Sequence, residues 1–341
     1  MNEETESHSM PMTKLPRNPD YDEACDICDH WQLNDWQPVL DIITARHEIA
    51  VSGTSQNFYG TNPVFELMLS ARAGEQNTYI VKILAPNWHS QFQSEYLSLK
   101  WLNEHELGVR VPKLIDSGEI DNWKYLIIEK LEGVMLSSVI DTLTLENKVE
   151  IAQALGRFSA RLHRLDGAGV EEMRLDWPEF IRLQSRNCYE KRKKQQVPEV
   201  LLADLTSYLE RHISRLDSHL KSDSNHLIHT DLHPGNLLVT SDAGHYRLAG
   251  IFDFGDALVC PDPLFEFASP ALLFAQGDPR IFHAFLDGYG YRGERDTSLQ
   301  QHMMVLSLLR HTGDLNYLLH HVPHCVDETH WQALESKFFP L

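Results

Sequence analysis

The sequence predicts an α+β fold in which a strand-rich N-terminal part is followed by a larger, mainly helical C-terminal part. Between about residues 48 and 129, short runs of β-branched and aromatic residues are separated by polar turns, a pattern typical of an antiparallel sheet. After Gly133 the apolar residues recur at helical spacing. The stretch 227–256 interrupts this helical part with two apolar runs around a turn at 241–244, which predicts a β-hairpin.

The composition limits the class of protein. The 341 residues suffice for one large bilobal domain or two smaller domains, and a hydrophobic content of 42% supplies a core. The formal net charge of −19 argues against a nucleic-acid-binding surface, which needs a basic footprint, and is compatible with a cationic substrate. The sequence has no apolar run of membrane-spanning length, and its polar, acidic first residues do not resemble a secretory signal. We therefore expect no interaction with nucleic acid or membrane.

The five cysteines are scattered and odd in number, which argues against a disulfide framework and favours a reducing cytoplasm as the location. Two clusters contain residue types that bind metals. Cys25 and Cys28 precede His30, and the segment 320–325 holds three histidines and a cysteine. Neither cluster has the second half of a zinc motif, so we interpret both as incidental, although the sequence leaves metal binding open.

The N-terminal part is expected to divide into a tail and a lobe. Residues 1–30 are polar and acidic, which predicts a flexible tail. Residues 31–132 are expected to form the N-terminal lobe and residues 133–341 the C-terminal lobe. The elements predicted in the N-terminal lobe are helices over 36–49 and 90–105 and strands over 47–53, 64–74, 77–86, 111–115 and 125–129.

In the C-terminal lobe, apolar periodicity predicts a series of helices. Between two of them runs a basic stretch, 190–194, which we interpret as a solvated helix face or a loop. Asp262 before Pro263 is typical of a helix N-cap, and we interpret Asp262 and Glu266 as structural. The predicted helices cover residues 145–165, 177–183, 200–216, 264–274, 280–291, 299–319 and 329–338.

The predicted hairpin carries three residues suited to phosphoryl transfer. Asp231 lies just before the first strand, Asn236 follows five residues later, and Asp253 comes after the second strand. The hairpin therefore brings all three to one end of a small sheet. A carboxylate can orient the attacking hydroxyl, which fits Asp231, and hard oxygen ligands bind Mg²⁺, which fits Asn236 and Asp253. The same order, an Asp and an Asn followed by a DFG Asp, is typical of kinases.

These motifs, HTDLHPGN at 229–236 and IFDFGDA at 251–257, resemble those of the aminoglycoside phosphotransferase family, which consists of kinase-like enzymes for small molecules. The resemblance implies a protein-kinase-like bilobal fold, with a nucleotide-binding N-terminal lobe containing one key helix and a larger C-terminal lobe for catalysis and substrate binding. No APE motif follows the DFG segment, and Thr230 replaces the arginine of the HRD motif, which argues against a protein kinase.

The resemblance implies nucleotide contacts in the N-terminal lobe. Lys82, in the third predicted strand, would hold the α- and β-phosphates and pair with a helical glutamate, for which Glu95 is the candidate. The loop 54–63 would cover the phosphates, with Gly60 and Thr61 near its turn. The adenine ring would contact backbone groups near Glu129 and Leu131. A solvent-facing lysine and an ordinary hairpin loop are the alternatives.

Other polar residues are given supporting roles by the resemblance. His229 would hold the shape of the catalytic loop, and His163 would pack behind that loop. His233 would contact the γ-phosphate or simply pack. The candidates for contacting a cationic substrate are Asp256, Asp278, Asp314 and Glu328.

The sequence thus predicts a phosphotransferase that uses ATP, with GTP possible, and Mg²⁺ to phosphorylate a hydroxyl group of a small molecule. An aminoglycoside-like antibiotic or a related metabolite is the expected substrate. A kinase for choline, homoserine or a sugar is one alternative, and a catalytically silent nucleotide-binding partner protein is another. The intact set of Lys82, Asp231, Asn236 and Asp253 argues against the silent protein. The oligomeric state is not predicted.

Overall fold

The computed structural model describes residues 14–57, 60–70, 78–165, 167, 169–214, 216 and 225–341. These residues form two compact units. The N-terminal unit contains the residues up to Asn103 together with Pro112–Lys130, and the C-terminal unit contains Glu104–Val111 and Leu131–Leu341. Within the described residues, no helix is both long enough and apolar enough to cross a bilayer.

A five-stranded antiparallel sheet in the order β1-β2-β3-β5-β4 forms the frame of the N-terminal unit. Strands β3 and β5 are the most buried of the five, and both are rich in the β-branched and aromatic residues that fit a pleated, buried surface. The strands are β1 (Val51–Asn57), β2 (Val64–Leu69), β3 (Thr78–Leu84), β4 (Leu114–Ile120) and β5 (Trp123–Glu129).

Three helices belong to this unit, and the first of them corrects the predicted tail. They are α1 (Tyr21–His30), α2 (Leu33–Arg46) and α3 (His89–Leu102), the last preceded by a short 3₁₀ helix at Pro86–Trp88. The Asp20 carboxylate caps α1, and Ala24 and Ile27 are buried in the same core as Trp36 and Trp123. Residues 21–30 therefore pack as a helix, because two apolar side chains at helical spacing outweigh the acidic composition. Residues 1–13 lie outside the described residues.

Two predicted strand boundaries are wrong. Strand β1 continues through Asn57, so that Thr54–Asn57 are part of the sheet and not of the predicted loop 54–63. Strand β4 begins at Leu114 and runs to Ile120, beyond the predicted 111–115. Pro112 lacks a backbone N–H and cannot donate to a ladder, which explains why regular pairing starts only after it.

The C-terminal unit is mainly helical and contains two small sheets, one in the order β6-β8-β9 and one that pairs β7 with β10. Together with the other sheet, this confirms the predicted α+β class. The strands are β6 (Val134–Met135), β7 (His226–Ile228), β8 (Leu237–Asp242), β9 (His245–Ile251) and β10 (Leu258–Cys260). The helices are α4 (Leu136–Val139), α5 (Leu145–Leu162), α6 (Trp177–Lys194), α7 (Glu199–His212), α8 (Pro279–Tyr289), α9 (Thr297–Leu309), α10 (Leu315–His321) and α11 (Trp331–Phe338).

Helices α5 and α8 cross at very short distance. A Cβ added to Gly156 of α5 would lie 2.1 Å from the carbonyl oxygen of Phe285, and one added to Gly288 of α8 would lie 2.1 Å from the carbonyl oxygen of Gln153. Glycine is therefore required on both helices for this packing. The crossing fixes α5 beneath the segments that carry the candidate site, since α5 also contacts β7 and β9.

Three helical predictions in this unit are corrected. The helix predicted over 299–319 is broken between α9 and α10, where Gly313 has φ +88° and Asp314 caps α10. The helix predicted over 264–274 is a 3₁₀ helix at Pro263–Phe267 followed by a π-helix at Pro270–Ala275, because Pro270 cannot donate to an α-helical hydrogen bond. The basic stretch 190–194 forms the end of α6, and its Arg192 is buried instead of solvated.

Candidate active site

The predicted catalytic loop leaves β7 and is fixed first by a buried histidine. The ring of His229 donates from Nε2 to the carbonyl oxygen of Phe252 (3.0 Å) and accepts at Nδ1 from the backbone N–H of Asp231 (3.2 Å). The backbone N–H of His229 itself donates to the Glu266 carboxylate at 2.7 Å. His229 therefore connects the loop before β8 with the chain that leaves β9, and this is the structural role expected for it.

Thr230 adopts a left-handed backbone conformation, with φ +67°, that a β-branched residue rarely takes. Three contacts hold it there. Its hydroxyl donates to the carbonyl oxygen of Asp256 (3.0 Å), and its own carbonyl oxygen accepts from the Ser269 hydroxyl (3.1 Å) and from the Arg310 guanidinium. Arg310 also donates to Ser269 at 3.0 Å and is 8% exposed. The buried arginine and serine thus stabilise a strained turn immediately before Asp231.

The Asp231 carboxylate is held by side chains from its own loop. Asn236 Nδ2 donates to Asp231 Oδ2 (3.1 Å) and to the Asp231 carbonyl oxygen (3.0 Å). His233 accepts at Nδ1 from the backbone N–H of Gly235, which places its ring hydrogen on Nε2, 3.3 Å from Asp231 Oδ2. Arg310 Nη2 lies 3.9 Å from the other carboxylate oxygen, Oδ1.

These contacts set the pKa, and therefore the protonation state, of the Asp231 carboxyl group. Burial alone would raise the pKa of the carboxyl group, but the hydrogen bond from His233 and the charge of Arg310 outweigh burial and lower the pKa to about 2. Asp231 is therefore a carboxylate at physiological pH. So weak a base cannot remove a proton from a free alcohol in the ground state, but it can accept a hydrogen bond from a hydroxyl and orient it.

Asn236 and Asp253 lie at the same end of the β8–β9 hairpin, as its predicted geometry required. Leu237 pairs with Ile251, and the backbone N–H of Phe252 donates to the carbonyl oxygen of Asn236 at 3.2 Å. Because Nδ2 of Asn236 donates twice to Asp231, Oδ1 is the amide atom that can bind a cation. Asp253 has φ +67°, and its Oδ1 accepts from the Gly255 N–H at 3.4 Å. An amide oxygen beside a carboxylate fits Mg²⁺, which is held by few protein ligands and by substrate phosphates.

A buried acid and two histidines support the loop from below. Glu266 is fully buried, and its Oε2 that binds the His229 N–H also lies 3.5 Å from His163 Nε2. His163 contacts the Tyr289 hydroxyl through Nδ1 at 3.0 Å. Burial lowers the pKa of His163 despite the nearby Glu266 carboxylate. Asp262 caps the 3₁₀ helix through the Leu264 N–H. The carboxylates of Asp262 and Glu266 thus take the structural roles that the sequence indicated.

In the N-terminal unit, Lys82 and Glu95 form a buried ion pair. Lys82 Nζ lies 2.7 Å from Glu95 Oε2, and the two residues are 6% and 1% exposed. Strand β3 directs Lys82 towards α3, and Glu95 is the seventh residue of that helix. The structure thus brings together the two residues that the sequence singled out.

The other nucleotide-binding candidates are placed less specifically. Gly60, with φ +96°, and Thr61 are exposed, whereas Phe58 and Tyr59 of the same predicted loop lie outside the described residues. The backbone N–H of Glu129 donates to the Lys113 carbonyl oxygen at 2.9 Å and is therefore not available to an adenine ring. Leu131 belongs to the C-terminal unit and is buried.

A cavity of about 500 Å³ opens beside Asp231 within the C-terminal unit. Its wall comes from the catalytic loop, the end of α4, the π-helix, the inner face of α6, and the break between α9 and α10. Of the four acidic residues predicted to meet a substrate, only Asp314 lines this cavity. Asp278 caps α8 and pairs with Arg280, and Glu328 pairs with Lys337, while the carbonyl oxygen of Asp256 accepts from Thr230.

The buried arginines of this wall were not predicted from the sequence. Arg192 and Arg310 line the cavity, and they come from a stretch interpreted as solvated and from the middle of a helix predicted to be continuous. The pair Gly313-Asp314 was a usable signal for the break, because a glycine followed by an N-cap aspartate is typical of one helix ending and another beginning.

Comparisons with known proteins identify the family and the fold. The family model described as the phosphotransferase enzyme family matches residues 61–299. No curated protein matches the chain. Among solved structures, the GDP complex of wild-type aminoglycoside 2'-phosphotransferase-IIIa is 18% identical, with a TM-score of 0.61 over 81% of this chain and 88% of that chain.

Two further structures are similar. The streptomycin–ATP ternary complex of APH(2")-IIa is 16% identical, with a TM-score of 0.56 over 85% of this chain and 95% of that one. The macrolide 2'-phosphotransferase MphH from Brachybacterium faecium is 18% identical, with a TM-score of 0.52 over 89% of this chain and 98% of that one. At these identities the likeness shows a shared fold, in agreement with the fold predicted from the two motifs.

Proposed function

The chain belongs to the phosphotransferase enzyme family, and from this premise we propose that it transfers the γ-phosphate of a nucleoside triphosphate to a small-molecule hydroxyl group held at Asp231. Membership makes the protein a phosphotransferase with an alcohol group as acceptor, and the predicted resemblance is confirmed. The observation that carries the proposal is the Asp231 carboxylate, fixed by Asn236 and His233 at the wall of a cavity of about 500 Å³.

Asp231 is proposed to position the acceptor. Its carboxylate accepts a hydrogen bond from the hydroxyl and turns the oxygen lone pair towards the phosphorus atom. Because its pKa is about 2, it takes the proton only as the new P–O bond forms and the hydroxyl becomes acidic. Most of the acceleration then comes from orientation and charge, with little covalent work by the protein.

Asn236 and Asp253 would hold Mg²⁺, and Lys82, paired with Glu95, would hold the phosphates of the nucleotide. The metal ion, when bound, neutralises negative charge that develops on the phosphoryl group in the transition state. The printed names of the similar structures include complexes with GDP and with ATP. Both nucleotides therefore belong in the test of this chain.

The direct test measures phosphoryl transfer from ATP and GTP, with Mg²⁺, to aminoglycosides, choline, homoserine, sugars and simple apolar alcohols. Asp231→Asn keeps the size of the side chain but removes the carboxylate, and we expect kcat to fall about a hundredfold to ten-thousandfold. The matched control is Asp242→Asn, at the exposed end of β8, which should keep its activity.

Nucleotide binding separates the outcomes. The Asp231→Asn variant should bind Mg²⁺-nucleotide as the wild-type protein does, measured by calorimetry, because Asp231 faces the acceptor. Full activity in this variant would overturn the proposed role of Asp231. Tight nucleotide binding without transfer to any acceptor in the wild-type protein would favour the catalytically silent alternative.

A further inference from the structure

The cavity beside Asp231 has a predominantly apolar wall. Aliphatic side chains line it on both sides of the catalytic loop. They are Ile140 after α4, Leu272 and Leu273 of the π-helix, and Leu315 and Leu318 of α10. Covering this wall with the apolar surface of a ligand is favourable, whereas a charged group against it would lose its hydration. The molecule that fills this cavity is therefore expected to have an apolar body.

The carboxylates of the wall are already engaged. Among the described residues that line the cavity, the carboxylates are Asp231 and Asp314. Asp231 faces His233 Nε2 at 3.3 Å and Arg310 at 3.9 Å. Asp314 Oδ1 accepts from the backbone N–H groups of Asn316 (2.8 Å) and Tyr317 (3.1 Å) as the cap of α10. Neither is an uncompensated anion that would attract an ammonium group.

The cations of the wall are less compensated. The Arg192 guanidinium donates to Gln195 Oε1 (2.8 Å) and to the carbonyl oxygen of Leu308 (2.7 Å), which are neutral acceptors. Behind it, Lys191 Nζ donates to the carbonyl oxygens of Arg310 and His311, both at 2.8 Å. Two guanidinium groups thus balance the two carboxylates, and Lys191 adds a positive charge. The wall carries no excess of negative charge, although the whole chain has a formal charge of −19.

Three buried donors around the cavity have no hydrogen-bond partner within the described part of the chain. They are the Nε atoms of Arg192 and Arg310 and the hydroxyl of Thr312, and all three residues line the cavity. Unpaired buried donors are unfavourable, and their N–H and O–H dipoles favour an electron-rich ligand end in the cavity beside them. Two of the three belong to the break between α9 and α10.

We infer that the acceptor is an apolar alcohol with an anionic end, such as a hydroxylated carboxylic acid, and is not a polycation. Its hydroxyl would lie at Asp231, its body against the leucines, and its anionic end towards Arg192 and Thr312, with the Lys191 ammonium group behind Arg192. The inference rests on the proposed phosphoryl transfer and specifies its substrate class. This substrate class differs from the cationic substrate with which the net charge of the sequence is compatible.

Three acceptors of similar shape test how the charge opposite the reacting hydroxyl affects binding and transfer. The probes share a rigid ring and one reacting hydroxyl, and differ in carrying a carboxylate, a neutral amide or an ammonium group. They are the para isomers of hydroxymethylbenzoate, hydroxymethylbenzamide and hydroxymethylbenzylamine. We expect kcat/KM for phosphorylation to be highest for the carboxylate and at least about tenfold lower for the amine, since like charges in a poorly hydrated site repel strongly. Binding of the three probes to the protein with Mg²⁺-ADP, measured by calorimetry, should follow the same order.

The two readouts separate this inference from the proposed function. Transfer in which the amine or an aminoglycoside is the preferred acceptor would overturn the inference and leave the phosphotransferase proposal in place. Binding in the expected order without transfer to any compound would overturn the proposed function and support the pocket chemistry. Failure of all three probes to bind would count against the inference.

A pair of variants on α6 tests where the preference originates. Lys191→Gln removes the positive charge behind Arg192, and Lys193→Gln makes the same change at an exposed position two residues away. The ratio of kcat/KM for the carboxylate over the amine should fall severalfold in the first variant and stay unchanged in the second. A merely structural role for Lys191 would lower both values equally and leave their ratio at that of the wild-type protein.

Discussion

Charged side chains are held in two different ways in the two units of this protein. In the N-terminal unit, Lys82 and Glu95 are almost completely buried and neutralise each other at 2.7 Å. In the C-terminal unit, the side chain of Asp231 stays 31% exposed, and donors from Asn236, His233 and Arg310 surround it. The first arrangement depends on charge matching and the second on a network that fixes direction. A carboxylate that binds the hydroxyl of a substrate needs the network, because one face of the carboxylate has to remain accessible.

The largest effect on stability is expected from breaking the buried pair. Glu95→Leu leaves the Lys82 ammonium group in the core without its carboxylate, and should lower the free energy of unfolding by about 3 kcal/mol. The measurement is urea denaturation of the variant and the wild-type protein. The double variant with Lys82→Met should recover most of the loss, since an apolar pair needs no charge compensation. Equal losses in the single and double variants would show that packing, and not charge, holds this region.

Arg310→Met tests the network around Asp231. Without the guanidinium, the Thr230 carbonyl oxygen loses a buried donor and the left-handed turn before Asp231 loses part of its support. We expect kcat to fall about a hundredfold, because small displacements of a positioning group cost that much, with the affinity for Mg²⁺-nucleotide unchanged. Arg310→Lys restores the charge but not the two-pronged donor, and should recover only part of kcat. A rise in KM at constant kcat would contradict a positioning role for Arg310.

A smaller change, visible in the pH profile, is expected from His233→Ala. His233 is the main group that lowers the pKa of Asp231 against the opposing effect of burial. Without it the pKa of Asp231 rises above about 2. When the solution is acidified, the carboxylate is then protonated at a higher pH, and activity that needs the carboxylate is lost there. The acid limb of kcat should move upward in pH relative to the wild-type protein and to His245→Ala, an exposed histidine on β9. Superimposable acid limbs would show that His233 does not control Asp231.

The same residue links pH to stability. A carboxylate with a depressed pKa stabilises the folded state fully above its unfolded value of 3.8, and this contribution is lost as the pH falls through about 2. In His233→Ala the pKa of Asp231 is lowered less, so the variant should lose stability relative to the wild-type protein near neutral pH and resemble it at very low pH. Thermal unfolding at several pH values measures this difference.

What could be predicted from the sequence depended on how local the signal was. Asp231, Asn236 and Asp253 lie on one hairpin, and their spacing alone places them together. Lys82 and Glu95 were also paired correctly, because the resemblance implies a lysine on this strand that pairs with a glutamate of the following helix. The resemblance of two short motifs then indicated the fold of the whole chain.

The cavity wall could not be predicted in the same way. Arg192 and Arg310 are 118 positions apart in the sequence. The stretch around Arg192 was predicted to be a solvated helix face or a loop, and the stretch around Arg310 a continuous helix. Their burial follows from the break at Gly313 and from the packing of α6 against α9, which are tertiary effects. The net charge of the chain says nothing about the few charges that line one cavity.

The smallest effect is expected at Asp278, a residue that the sequence placed among the substrate contacts. Its carboxylate instead caps α8 through the Arg280 N–H and pairs with the Arg280 guanidinium at the surface. Asp278→Ala should therefore cost about 1 kcal/mol of stability, the usual value of an N-cap, and leave kcat/KM for every acceptor unchanged. Asp314→Ala removes the equivalent cap from α10 but changes the cavity wall as well, so it should alter kcat/KM in addition to stability. Equal kinetic effects of the two substitutions would mean that the cavity beside Asp231 is not where the acceptor binds.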